Sequence, residues 1–317
     1  MMYQYHDLHD SDFERLVVAI CKEILGQGTQ GFTKGADGGR DGKFCGTANH
    51  YPSQASPWTG TTIIQAKHTT GINKHFMESD FFSETSATCI ISQECEKILK
   101  LTDIKDLDNY IIFSNRKLTP AAQLEIKKFI SNKTKLNDNS IAILGIDDLD
   151  YWLSRYPYIV QLVNLTPLTR APIIRPDELS EVIQHFAKTF NTQIKNQSFQ
   201  PKDRTEFEDK NKLNNIGQEF VKELKRNYIS YVLQVKDFLE DPQNEELQEL
   251  YQESVEDFQL RFVIPRQQNL EVFDNIFNDL VELLICRDFI LSKNRRLTRI
   301  MVFYMYWNCD IGISKDD

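Results

Sequence analysis

Apolar positions at helical spacing appear first. Phe13, Leu16, Val17, Ile20, Ile24 and Leu25 follow the i, i+3, i+4 rule and predict an amphipathic helix over 11–25, ended by Gly26 and Gly28. Ser11 to Glu14 has the form of a capping box, in which the acid bonds back to the helix start. The pattern then changes period. A glycine-rich turn, GADGGRDG, leads into one short strand, and TTIIQAKH forms another, with Asn49 to Gly60 as the loop of a hairpin. Residues 77–100 read as a helix, apolar at Phe81, Phe82, Cys89, Ile90 and Ile98 and acidic at Glu78, Asp80, Glu84, Glu94 and Glu96. NYIIFS (Asn109 to Ser114) is a buried type of strand. Thr119-Pro120 opens a helix to about Ser131, SIAILG (Ser140 to Gly145) is another strand, and Asp147 starts a capped helix. Strands alternating with helices predict an α/β domain, a mixed central sheet flanked by helices.

Beyond this point the strands stop. Pro167, Pro172 and Pro176 mark a boundary, a short helix covers 177–190, and Asn191 to Asp203 is polar. Phe207 to Glu240, Glu245 to Val263, Leu270 to Leu291 and Arg295 to Trp307 read as successive helices, broken at Pro242 and Pro265. Three segments follow: an α/β domain at 1–165, a linker with a short helix at 166–204, and an all-α helical domain at 205–317. The last stretch, Ile300 to Ile313, is apolar and aromatic; it reads either as a buried terminal helix or as a partner-facing surface.

Composition narrows the class. With 41% hydrophobic residues the 317-residue chain can bury a core in each of two domains. No window approaches the roughly 18 apolar residues of a membrane span, and the first residues lack a signal pattern, so a cytoplasmic location is expected. The six cysteines have no metal-ligand spacing, which leads us to expect isolated thiols and no zinc site. Net charge is −9, −3 over residues 1–165 and −6 over the remainder, which argues against a generic nucleic-acid coat. A site with carboxylates for a metal and one locally basic face remains compatible with it.

The chemistry concentrates between Gly35 and His68. Strand alternation puts Thr61, Ile63, Gln65 and Lys67 on one face and Thr62, Ile64 and Ala66 on the other. A hairpin would bring Asp41 against Gln65 and Lys67. Phosphodiester cleavage needs such a grouping: a hard oxygen ligand for Mg²⁺, an amide or carbonyl oxygen beside it, and a lysine near water and phosphate. Asp37 reads as a turn-stabilising residue. His68, Lys74, His75, Arg116 and Lys117 are possible DNA-backbone contacts.

The FE pair (Phe13, Glu14), the DGGRDG turn (Asp37 to Gly42) and the QAK strand (Gln65 to Lys67), in this order, resemble the Mrr-like branch of the PD-(D/E)xK nucleases, in which Gln replaces the acid of the (D/E)xK element. The resemblance implies a restriction-endonuclease-like fold and a Mg²⁺-dependent endonuclease that also takes Mn²⁺. Asp41, Gln65, the Ala66 carbonyl and Glu14 as auxiliary acid would be its metal residues, and Lys67 its catalytic lysine. About twenty residues between Asp41 and Gln65 exceed the compact form of the motif.

The helical domain ending in MYWNCDIG (Met305 to Gly312) looks like the C-terminal module of effectors in ABC-type three-component systems. Joined to an Mrr-like nuclease, it is similar to the nuclease effector of Lamassu anti-phage systems. That implies an SMC-like ATPase and a small third subunit as partners and double-stranded DNA as substrate; from the presence of a second domain we further expect the complex to keep the site inactive until release or oligomerisation. Competing readings are a type IV modification-dependent restriction enzyme and a non-catalytic scaffold with a decayed nuclease core.

Overall fold

The computed structural model describes residues 3–32, 40–163, 165, 174–189 and 205–315. Asp37 with most of its glycine-rich turn, Pro167 and Pro172, and the polar stretch after residue 190 lie outside these residues.

Two compact units divide the chain, Met1–Leu168 and Thr169–Asp317. The first contains α1 (Asp10–Ile24), β1 (Gln30–Gly31), β2 (Gly42–Thr47), β3 (Thr59–Lys67), α2 (Ile90–Asp103), β4 (Asn109–Ser114), α3 (Pro120–Thr134), β5 (Ile141–Leu144), α4 (Ile146–Arg155) and α5 (Ile159–Leu162). The strands form one mixed sheet in the order β1-β2-β3-β4-β5. The β1–β2 and β2–β3 pairs are antiparallel, while β3, β4 and β5 are parallel, joined by the crossovers that contain α2 and α3.

Alternation along β3 sorts the two cores. Ile64 and Ala66 join Ile111, Phe113 and the apolar stripe of α1 on one face, together with Leu149 and Leu153 of α4. Ile63 joins Tyr110, Ile112, Ile91, Cys95, Ile98, Ile126 and Ile130 on the other, beneath α2 and α3. A sheet covered on both faces needs near-continuous apolar strands, as NYIIFS supplies; all six of its residues are buried.

The loop between β2 and β3 is anchored. Ala48 N–H donates to Trp58 O at 2.8 Å, and Asn49 N–H donates to Leu25 O at 2.9 Å, tying the loop to the end of α1. Trp58 packs edge-on against Tyr51 and donates its indole N–H to Asn139 O at 2.8 Å.

Three expectations change here. The helix expected over 77–100 begins only at Ile90. The preceding Ser/Thr run folds on itself: Ser86 N–H donates to Ser83 Oγ at 3.3 Å and the Ser92 hydroxyl donates to Ser86 O at 2.8 Å. Local side-chain bonds of this kind compete with helix. α1 starts with His9 as N-cap and no side-chain cap bond, so the Ser11 to Glu14 capping box does not form; Asp10 and Asp12 face the positive helix end instead. Pro265 ends no helix, because it lies in the first turn of α11, where proline is tolerated.

The second unit is helical: α6 (Pro176–Lys188), α7 (Phe207–Leu213), α8 (Gln218–Tyr228), α9 (Val232–Glu240), α10 (Glu245–Phe258), α11 (Ile264–Gln268), α12 (Phe273–Arg287), α13 (Phe289–Lys293) and α14 (Arg295–Trp307). The segment read as one helix from Phe207 to Glu240 is broken near Asn215, whose φ is 48°, and again by a short 3-10 turn at Ile229–Tyr231. α6, expected within a linker, buries Leu179, Val182, Ile183 and Phe186, with Phe186 edge-on to Phe258 of α10. The aromatic tail is core: every residue from Leu297 to Tyr306 is buried. Beyond α14 the chain makes a hook. Lys210, fully buried, donates to the carbonyls of Tyr306 and Ile311, each at 2.7 Å. Gly312, at φ +88°, is held through both its N–H and its carbonyl by Gln259.

Candidate active site

Asp41 stands one residue before β2. Its N–H donates to Ile64 O at 3.3 Å, and its Oδ2 accepts from Ala66 N–H at 2.7 Å, so the carboxylate is fixed against the end of β3. Burial pushes the Asp41 carboxyl above the usual carboxylate range; the Ala66 N–H and the Lys67 charge oppose this, and Glu94 adds to it.

The pairing Gly42↔Ile64 and Lys43↔Ile63 puts Asp41 on the face of Gln65. Gln65 is 1% exposed. Lys67 shares that face, its carbonyl accepts from the Ser114 hydroxyl at 2.6 Å, and its Nζ lies 2.9 Å from Glu94 Oε1. Three residues expected to act together are thus gathered at one end of the β2–β3 hairpin.

Glu94 was expected only as one of the acidic positions of the helix over 77–100, with no part in the site. It is 1% exposed, and besides Lys67 it takes Lys97 Nζ on Oε1 at 2.7 Å and the Tyr110 hydroxyl on Oε2 at 2.8 Å. The signal was present in the spacing. Ile91, Glu94, Cys95 and Ile98 are the buried positions of α2 and recur at i, i+3, i+4 and i+7, so Glu94 lies within the apolar stripe.

The other expected residues have different surroundings. Glu14 is half-buried in α1, on the layer covering the opposite face of the sheet. His68 turns to that layer as well, 3.0 Å from Asp10 and 2.8 Å from Tyr5 O, with its ring against Phe13. Lys74 pairs with Glu78 at 2.8 Å, and Lys117 donates to Asn73 Oδ1 at 2.6 Å. Arg116 is 3% exposed, forks onto Asp80 at 2.5 and 3.2 Å and lies over the Phe81 ring. A guanidinium so enclosed holds the turn before α2 rather than offering itself to DNA.

The donors at Asp41 suit a hard cation: its carboxylate, the Gln65 amide and main-chain oxygens. Among the described residues no three His, Cys, Asp or Glu side chains gather to hold a metal by themselves. With Gln in the second position, an ion here would depend on neutral oxygens beside one carboxylate, and the residues present fit Mg²⁺ on that basis.

Comparison with known proteins bears on the other unit. Residues 168–312 match the family model of C-terminal domain 12 of the ABC-three component (ABC-3C) systems. The match begins at the division between the two units and ends at Gly312 in the terminal hook. No curated protein and no solved structure matches the chain. No described helix is long and apolar enough to cross a membrane.

Proposed function

We propose that the N-terminal unit is a restriction-endonuclease-like, metal-dependent DNA endonuclease. We read the chain as the nuclease effector of a Lamassu-type anti-phage complex, attached through its helical unit to an SMC-like ATPase and a small third subunit. The observation that carries the reading is the convergence of Asp41, Gln65 and Lys67 at one end of a mixed sheet whose helix, hairpin and parallel crossovers follow the order that the motif requires.

Asp41, Gln65 and the Ala66 carbonyl would hold Mg²⁺ or Mn²⁺, while Glu14 stands apart from them in the layer over the opposite face of the sheet. When bound, the ion supplies Lewis acidity and lowers the pKa of its water. Ala66 N–H holds one Asp41 oxygen, which fixes the carboxylate's direction and leaves the other oxygen as donor. Lys67 presents an ammonium on the same face and adds positive charge where a phosphodiester would develop negative charge. Ser114 pins the Lys67 main chain, which limits where that ammonium can go.

The ABC-3C match supports an assembly role for the helical unit. An effector of this kind must be held inactive, and release or oligomerisation would bring two sites onto the two DNA strands. The test compares cleavage of unmodified plasmid by the chain alone and by the chain co-purified with the ATPase and third subunit, with oligomeric state followed by sedimentation. Cleavage rising with self-association and suppressed in the complex is expected. A monomer fully active alone would remove the gating, and cleavage confined to methylated plasmid would point to a modification-dependent enzyme.

A further inference from the structure

We infer that Glu94 and Lys97 complete the site: Glu94 is a positioning residue that sets Lys67 and Lys97 side by side, and the two ammonium groups together bind the phosphate of a nucleic-acid backbone. The inference rests on the nuclease reading for its ligand and on the geometry for its residues.

The Glu94 carboxylate is buried and takes three donors. Tyr110, itself buried, occupies Oε2 and fixes the plane of the carboxylate. Both lysines then meet on the remaining oxygen, Oε1, at 2.9 and 2.7 Å. An ammonium has three N–H donors, and Glu94 uses one from each lysine. The side chains of Lys67 and Lys97 are 22% and 33% exposed, so both remain within reach of a ligand from solvent. Asp41 feels both charges, which puts Lys97 in the same electrostatic neighbourhood as the proposed metal residues.

A purely structural buried acid would be served by one cation. Two cations on one oxygen bring like charges close together, and that arrangement is useful when an anion is to join them. The phosphodiester has that chemistry and that charge.

The test reads binding separately from cleavage. Affinity of the full chain for a short duplex is measured in EDTA over a range of salt for wild type, Lys97→Ala and Lys67→Ala. Cleavage kinetics with Mg²⁺ are then measured for Glu94→Gln. Each lysine variant is expected to bind several-fold more weakly, with the log–log salt slope reduced by about 1. Glu94→Gln removes a negative charge beside two retained ammoniums, so KM should stay level or fall while kcat drops roughly 10²-fold through misplacement. A structural residue would not split the two constants in that way. Should Glu94→Gln fail to fold, the lysine arms decide, because Lys97→Ala leaves the buried carboxylate with Lys67 and Tyr110. Wild-type affinity and slope in Lys97→Ala would overturn the inference, as would a raised kcat in Glu94→Gln, which would make the carboxylate a brake. Lysine effects absent while cleavage still depends on Asp41 defeat this inference alone. Lysine effects present with no Asp41-dependent cleavage defeat the nuclease reading alone.

Discussion

Burial works against the charge on Asp41. Its carboxyl is held above the usual range, whereas in the unfolded chain it ionises near 3.9. A raised folded value means the folded protein holds the proton longer, so stability contributed by this group is present at low pH and lost as pH rises through the window between the two values. Asp41→Asn should therefore melt higher than wild type at neutral pH, with the difference vanishing below the unfolded value; a pH series of thermal melts checks it. Mg²⁺ should raise the melting temperature of wild type and leave Asp41→Asn unchanged, since a ligand that binds only the folded form stabilises it. Arg116 makes a contrasting case. Burial alone would push the Asp80 carboxyl up, but the Arg116 guanidinium overrides this and holds it below the usual range. Arg116→Ala should cost about 1 kcal/mol by urea unfolding and leave DNA affinity level, because it removes bonds to a half-exposed Asp80 that water can replace in part, and no phosphate contact. That Asp41, Gln65 and Lys67 share one face of the hairpin was legible in the sequence because strand alternation is a local rule. Glu94 was legible only in part: its place in the apolar stripe of α2 can be read from the spacing, but its contacts with Lys67 and Tyr110 come from strands distant in sequence.

Among the elements, the hairpin shows best why local pattern reached as far as it did. β2 and β3 follow from alternation and their turn residues, and the parallel strands β4 and β5 follow from continuous apolar runs. The anchoring of the hairpin loop does not follow, since Trp58 and Asn49 find partners on β5's approach and α1 that are distant in sequence. Gly60 marks a tight point: φ is +92°, and a Cβ there would sit 2.2 Å from Asp108 Oδ2, whose carboxylate accepts from Thr61 N–H at 2.7 Å. Gly60→Ala should destabilise by more than about 1 kcal/mol in urea titration, through both the backbone angle and the lost Asp108 bond. In the helical unit, broken helices were missed for a similar reason. Asn215 adopts positive φ, at 48°, and Asp288 separates α12 from α13, and at neither position does a Gly or Pro announce the break.

Over the whole molecule, two units carry separate cores, and each has its own reason to fold. The division between α/β and helical halves was legible from the change of hydrophobic period. The membership of α6 was not, because its buried face is satisfied only by α10 and its neighbours in the fold. The terminal hook has a physical explanation independent of any partner: Lys210 is a buried cation satisfied by two carbonyls of the tail. Lys210→Met should loosen the tail, seen as faster amide exchange after Tyr306, whereas truncation at residue 168 should leave a folded N-terminal unit that still cuts DNA. The central claim, that Asp41 and Lys67 form a hydrolytic site, is tested most directly by incubating supercoiled plasmid and Mg²⁺ with wild type, Asp41→Ala and Lys67→Ala, each first shown to be folded. Conversion of supercoiled to nicked and linear DNA by wild type alone, abolished by EDTA, is the expected result; cleavage that persists in both variants would contradict it.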